Sequence, residues 1–157
     1  MGDKRRFNVL ADFLAEHIPP EAKIADVAAG KGHLSLALKE RGFSNLVAWE
    51  PNPRRFGQIR GVPLRVQPFT MDEAKAFDVI VGMHPDGATE EIVCGTARHE
   101  KRMFLVPCCA ITSRTVMWTV NNWKGWIDHL LRLCHRNGLN PKRKALPMSG
   151  RNVLLWV

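Results

Sequence analysis

Two acids and a run of small residues carry the first chemistry in this chain. Asp26 precedes the turn Ala28-Ala29-Gly30-Lys31-Gly32-His33, and Glu50 answers it in Trp49-Glu50-Pro51. An apolar run bearing a carboxylate ends in small residues and opens at once into a helical pattern. Small residues let backbone approach a ligand closely, and a helix N-terminus behind them presents free N–H groups. Glu50 lies 18 residues past Gly32 and closes the next apolar run. That is about the interval at which α/β nucleotide-binding folds set a carboxylate against a ribose. Both Glu50 oxygens can accept ribose hydroxyls, while Asp26 either anchors the turn or receives a ligand ammonium. The pattern is that of a site for an adenosine-type ligand.

A second group of residues suits acid–base or nucleophilic work. His84-Pro85-Asp86 ends the apolar run 78–83. A histidine titrating near neutrality is the natural general base for a hydroxyl acceptor, and His84 reads equally as a structural histidine hydrogen-bonded at a strand end. Asp86 is paired with it as the second catalytic candidate. With Gly87-Ala88-Thr89-Glu90 behind it, Asp86 also reads as a helix N-cap with Glu90 as its box partner, the reading the spacing favours. Pro107-Cys108-Cys109 closes another apolar run. These residues are candidates for substrate-pocket lining, with a nucleophile toward a pyrimidine ring and plain core thiols as the alternatives. No Cys-x-x-Cys or paired-histidine spacing occurs, so no metal site is expected.

The elements that must position these residues alternate. Strands are expected at 24–28, 45–49, 64–68, 78–83, 104–107, 145–146 and 152–157. Helices are expected at about 5–18, 32–41, 53–59, 87–99 and 122–136. The last shows Trp123, Trp126, Ile127, Leu130, Leu131 and Cys134 on one face and ends at Asn137-Gly138. Such βα alternation argues for a parallel sheet covered on both faces. The last two strands are joined only by Pro147-Met148-Ser149-Gly150, too short for a parallel crossover, so they form an antiparallel hairpin. The expected architecture is α/β, a Rossmann-like seven-stranded, mostly parallel sheet with a C-terminal antiparallel hairpin and helices on both faces. One domain over 1–157 accounts for the 157 residues, of which 45% are hydrophobic.

Charge is distributed unevenly. Residues 1–100 hold 13 Lys/Arg against 14 Asp/Glu, whereas 101–157 hold 10 Lys/Arg against the single acid Asp128. A basic C-terminal third beside a neutral remainder suggests a polyanionic partner such as RNA. Lys142-Arg143-Lys144, with Arg114, Lys124, Arg132, Arg136 and Arg151, can track phosphates. Trp118 and Trp123 can stack on a base, although Trp123 and Trp126 also sit at core spacing. No apolar run approaches the roughly 20 residues that span a bilayer, and a cytoplasmic location is expected. Four cysteines, two of them adjacent, read as thiols in that compartment. The absence of a separate substrate domain leaves room for a dimer or a partner protein.

Asp26-Val27-Ala28-Ala29-Gly30-Lys31-Gly32 resembles the acid-x-small-x-Gly-x-Gly motif of class I S-adenosylmethionine (SAM)-dependent methyltransferases, over about residues 23–157. A narrower resemblance lies in Gly30-Lys31-Gly32-His33-Leu34-Ser35, Gly82-Met83-His84-Pro85-Asp86 and Val106-Pro107-Cys108-Cys109. These look like a branch that includes enzymes methylating a ribose hydroxyl in tRNA. The branch commonly carries a Cys-Gly pair where Pro85-Asp86 stands here, and the zinc-binding segments of the tRNA enzymes are absent. The resemblance implies SAM as cofactor, held by Asp26, Ala28, Gly30, Gly32, His33, Glu50, Pro51, Met71 and Asp72. In relatives the segment matching Phe69-Thr70-Met71-Asp72 meets adenine, and Asp72 here is equally a helix cap. His84 and Asp86 would serve catalysis, and Pro107, Cys108, Cys109 and Arg114 the acceptor, with RNA as the first acceptor class and a small molecule or protein as the alternative. Two other functions compete. Gly30-x-Gly32-x-x-Ser35 partly mimics a nicotinamide fingerprint, against which Asp26 and the terminal hairpin argue, and a non-catalytic binding module would keep the same fold.

Overall fold

A computed structural model of the protein describes residues 3–54, 56–57, 59–108 and 122–157. Seven strands form one sheet: β1 (Ile24–Val27), β2 (Leu46–Trp49), β3 (Leu64–Arg65), β4 (Val79–Met83), β5 (Arg102–Val106), β6 (Lys142–Ala145) and β7 (Val153–Trp156). Their order is β3-β2-β1-β4-β5-β7-β6. The first five run parallel, while β7 is antiparallel to β5 and β6 antiparallel to β7. Among the described residues four α-helices accompany them: α1 (Arg6–His17), α2 (His33–Glu40), α3 (Thr89–Arg98) and α4 (Trp123–Arg136).

Alternation along the strands sorts the core into two layers. Ile24, Val79, Val81, Phe104 and Leu154 join Leu10, Leu14, Leu34 and Leu38 of α1 and α2. Ala25, Ile80, Met103, Leu105 and Leu155 join Ile92 of α3 and Trp126, Ile127 and Leu130 of α4. Strands buried on both faces explain why their sequences are continuous apolar runs rather than alternating ones. Strand order reverses between β1 and β4, and the crevice at their carboxyl ends is where such sheets hold ligands.

Three local expectations are corrected. Residues 53–59 form no helix among those described: Gly57 N–H reaches the Lys31 carbonyl at 3.3 Å, and Phe56 is buried. The Gly30–Gly32 turn therefore claims this segment, and Pro53 and Gly57 offer little helical propensity in return. The third strand pairs over two residues only, because Pro63 and Pro68 bracket it and cannot donate to a ladder. The sixth strand is Lys142–Ala145 rather than 145–146, so the three basic residues before Ala145 are themselves in the outer strand. Lysine and arginine on an edge strand discourage pairing with another chain.

At α4 the Asn122 side chain accepts from the Gly125 N–H at 3.0 Å, capping the helix start. Its end closes through Leu139 N–H on the Cys134 carbonyl at 2.9 Å, with Gly138 at φ +79°. No helix among the described residues is long and apolar enough to cross a membrane.

Candidate functional site

The crevice between β1 and β4 holds two adjoining lobes that share Ala28, Glu50 and Asp86. One, a cavity of ≈ 420 Å³, is walled by Trp49, Phe69 and Pro85, with Glu50, Asp86 and Glu91 as its acids. The other, of ≈ 370 Å³, runs over Gly30 and Lys31 between His33, His84, Arg6 and Phe7. An aromatic wall beside carboxylates suits a planar heterocycle joined to a polyol. Trp49 meets Phe69 edge-on at 5.3 Å and Phe77 at 5.1 Å, which fixes the floor of the first lobe.

Glu50 joins the two halves of the turn. Its Oε2 accepts the Gly30 N–H at 3.0 Å and its Oε1 accepts the Asn52 N–H at 2.9 Å. Each oxygen keeps a further lone pair, so both still have capacity to accept a ligand hydroxyl. The glycines have distinct reasons. A Cβ on Gly30 would meet nothing within 4 Å, so bare backbone faces open cavity, and φ is +55°. A Cβ on Gly32, at φ +76°, would lie 2.8 Å from Phe56 Cε2 and 3.0 Å from Ile59 Cγ1. Gly32→Ala combines left-handed strain with that clash and is expected to cost about 1–3 kcal/mol, read by urea unfolding. Gly30→Ala carries only the strain and should cost less.

Asp26 sits behind the turn, fully buried, and accepts from Ser35 Oγ at 2.6 Å. Burial pushes its carboxyl up to about 6, and the Ser35 hydrogen bonds offset only part of that rise. A folded-state value above the ordinary 3.8 means the folded chain holds a proton that the unfolded chain releases. Stability is therefore greatest below about pH 4 with respect to this group and is lost as pH rises through 6. Asp26→Asn should remove that slope and raise stability at pH 8 by about 2–3 kcal/mol relative to the native chain. Urea unfolding at pH 4.5, 6 and 8 checks it, and an unchanged slope in the variant would contradict the assignment.

Strain concentrates at the same crevice. Of the four non-glycine residues with positive φ among those described, three line it: Ala28 (55°), His84 (56°) and Asp86 (45°). Each such residue costs of order 1–3 kcal/mol and persists only where surrounding structure enforces it. His84 Nε2 donates to the Arg151 carbonyl at 3.0 Å, so Nε2 carries the proton and Nδ1 the lone pair. Burial holds the imidazole below its ordinary 6.5, keeping it neutral at pH 7.

Asp86 is not the cap of α3. It begins a short 3-10 turn, Asp86–Ala88, the α3 N-cap is Ala88 without a side-chain bond, and Cys108 Sγ donates to Asp86 Oδ1 at 3.0 Å. Glu90, the expected box partner, instead meets His129 Nε2 of α4 at 3.2 Å. Packing of α3 on α4 takes that carboxylate away from the helix start.

The structure brings Ala28, Gly30, His33, Glu50, Pro51, His84 and Asp86 to the crevice walls. Gly32 and Asp26 support the turn from behind. Met71 and Asp72 are not among the lining residues. Met71 N–H donates to Glu91 Oε2 at 2.9 Å, and Asp72 pairs with Arg98 Nη1 at 3.3 Å on the exposed surface. Nor does Asp72 cap its turn, which starts after Thr70. The wall falls to Phe69 and Thr70, one or two residues earlier. Pro107 is buried away from the lobes, and Cys108 reaches them through Asp86. Cys109, Arg114 and Trp118 lie outside the described residues. Trp123 stacks under the Arg151 guanidinium, 4.2 Å from its ring centre. Arg6, Phe7 and Glu91 were not singled out by sequence. Nothing local in Lys4-Arg5-Arg6 says that α1 begins over the glycine turn.

No family model and no curated protein matches this chain. Solved structures do. A sugar N-methyltransferase from Streptoalloteichus superposes with TM-score 0.66 at 13% identity, covering 98% of this chain and 87% of that one. A precorrin-6y C5,15-methyltransferase from Geobacter metallireducens gives 0.61 at 16%, covering 95% and 83%. Aeropyrum pernix fibrillarin, solved with natively bound SAM, gives 0.59 at 14%, covering 96% and 76%. At these identities the likeness is one of fold.

Proposed function

We propose that this chain is a SAM-dependent methyltransferase, with RNA as its acceptor class. The observation that carries the donor is Glu50. A buried carboxylate ties the Gly30 turn to the end of β2 and retains two acceptor sites beside an aromatic-walled lobe. The residues present fit the donor. Bare backbone at Gly30 opens onto the second lobe, Trp49 and Phe69 wall the first, and the fold is shared with solved methyltransferases.

Bound SAM supplies a methyl group on a sulfonium, already activated for transfer. The protein's part is then to orient the acceptor and take its proton. Glu50 orients the ribose, and the Gly30 turn lets the amino-acid tail lie against backbone. His84, neutral and with Nδ1 unprotonated, is the group able to accept a hydroxyl proton in the Gly30 lobe. Asp86 holds Cys108 beside it. RNA is supported by the charge of the C-terminal third and by the exposed basic strand Lys142–Ala145.

Thermal unfolding with S-adenosylhomocysteine and with NAD tests the donor, since a ligand that binds only the folded state raises the midpoint. The expected result is a shift with S-adenosylhomocysteine alone. A shift with NAD alone would replace this reading by a dehydrogenase, and no shift with millimolar S-adenosylhomocysteine would remove the donor. Incubation of total RNA with labelled SAM, followed by nucleoside mass spectrometry, tests the acceptor. Label found only in protein or small molecules would reassign it.

A further inference from the structure

Among the described residues Arg6 is the arginine that lines the two lobes. Its neighbour Arg5 pairs with Asp3 at 2.9 Å, whereas among the described residues no carboxylate lies within ion-pair distance of Arg6. Its Nη1 donates only to the Asp3 carbonyl at 3.3 Å, and its Nε is buried without an acceptor. Its guanidinium lies 4.4 Å from the centre of the Phe7 ring, and the side chain lines the lobe over Gly30 and Lys31. A half-buried cation without a counter-charge is costly unless something anionic completes it.

The position is held from outside the helix. Asp3 Oδ2 also accepts the Ser149 N–H at 3.0 Å, tying the start of α1 to the hairpin turn between β6 and β7. Arg5 holds the Asp3 carboxyl well below the usual carboxylate range, so this tie persists at acid pH. The lobe thus carries both signs of charge. Glu50 and Asp86 lie on its shared edge, and Arg6 stands with Lys31 among the lining residues that can carry positive charge.

A zwitterionic tail matches such a lobe, its cationic centres toward the acids and its carboxylate toward the arginine. Building on the donor proposed above, we infer that Arg6 is the receptor for the amino-acid carboxylate of SAM. It thereby makes the site selective for donors that retain that group. A guanidinium recognises a carboxylate through paired N–H bonds, which a lysine ammonium does not reproduce.

The test is calorimetric titration of the full chain with SAM and with decarboxylated SAM, which keeps the nucleoside, sulfonium and ammonium. The native chain should prefer SAM by about tenfold or more, the usual order for one charge-assisted contact. Arg6→Ala should weaken SAM to the level of the decarboxylated ligand while leaving the latter's affinity unchanged. Arg6→Lys should keep part of the preference, and unfolding midpoints confirm that the variants fold. Equal weakening of both ligands, or no weakening of either, overturns the inference while leaving the donor reading intact. Failure of the native chain to bind either ligand overturns both.

Discussion

Replacing Glu50 by alanine is expected to weaken S-adenosylhomocysteine binding by about 10²- to 10³-fold. Two ribose hydroxyls lose a charged acceptor, and hydrogen bonds to charged groups contribute about 1.5–3 kcal/mol each. The same substitution leaves the Gly30 and Asn52 N–H groups without their acceptors at 3.0 and 2.9 Å. Each buried donor left unpaired costs about 1–3 kcal/mol, so the unfolding midpoint should fall as well. Glu50→Gln separates the two contributions. It keeps shape and one acceptor oxygen but turns an NH₂ toward one of those N–H groups, so binding should fall by less than in alanine while the turn is still weakened. Calorimetry for affinity and urea unfolding for stability read the two effects. Unchanged affinity in both variants would place the ribose elsewhere.

His84→Asn is expected to lower methyl transfer to RNA by about 10²-fold or more, the usual contribution of a positioned general base, with S-adenosylhomocysteine affinity unchanged. Asparagine is the informative replacement because it tolerates the φ of 56°; its amide stops at the level of Nδ1, so the bond from Nε2 to the Arg151 carbonyl is lost with the base. The pH profile supplies an independent readout. A base must be unprotonated, so native activity falls as pH drops through the His84 value, and burial places that acid limb below 6.5. The variant should lose the limb. A variant equally active at every pH would make His84 a strand-end histidine only. Retained activity with a lowered midpoint would point to the tie between β4 and the β6–β7 turn.

Much of the scaffold was legible because its signals are local. Runs such as Val79–Met83 must be strands buried on both faces, and the four residues Pro147 to Ser149-Gly150 leave no room for a crossover between the last two. The stretch 53–59 misled because its helical spacing competes with a distant turn, through Phe56 beneath Gly32 and Gly57 on the Lys31 carbonyl. Asp86 misled for a similar reason. Its neighbours spell a capping box, yet Glu90 is taken by His129, which lies 39 residues further on. Asp72 followed the register of relatives, and Arg98 on α3 holds it at the surface.

By itself the sequence determined the succession of the seven strands, the glycine turn after β1 and the acid after β2, since each follows from residue type and short-range spacing. Only the tertiary structure decided which groups meet. It set the Nε2–Arg151 bond that leaves Nδ1 of His84 unprotonated, put the Cys108 thiol on Asp86, and brought Arg6 from the start of the chain to the Gly30 lobe. Those contacts join residues far apart in the chain. They depend on where the packed layers place whole elements, which no local pattern encodes.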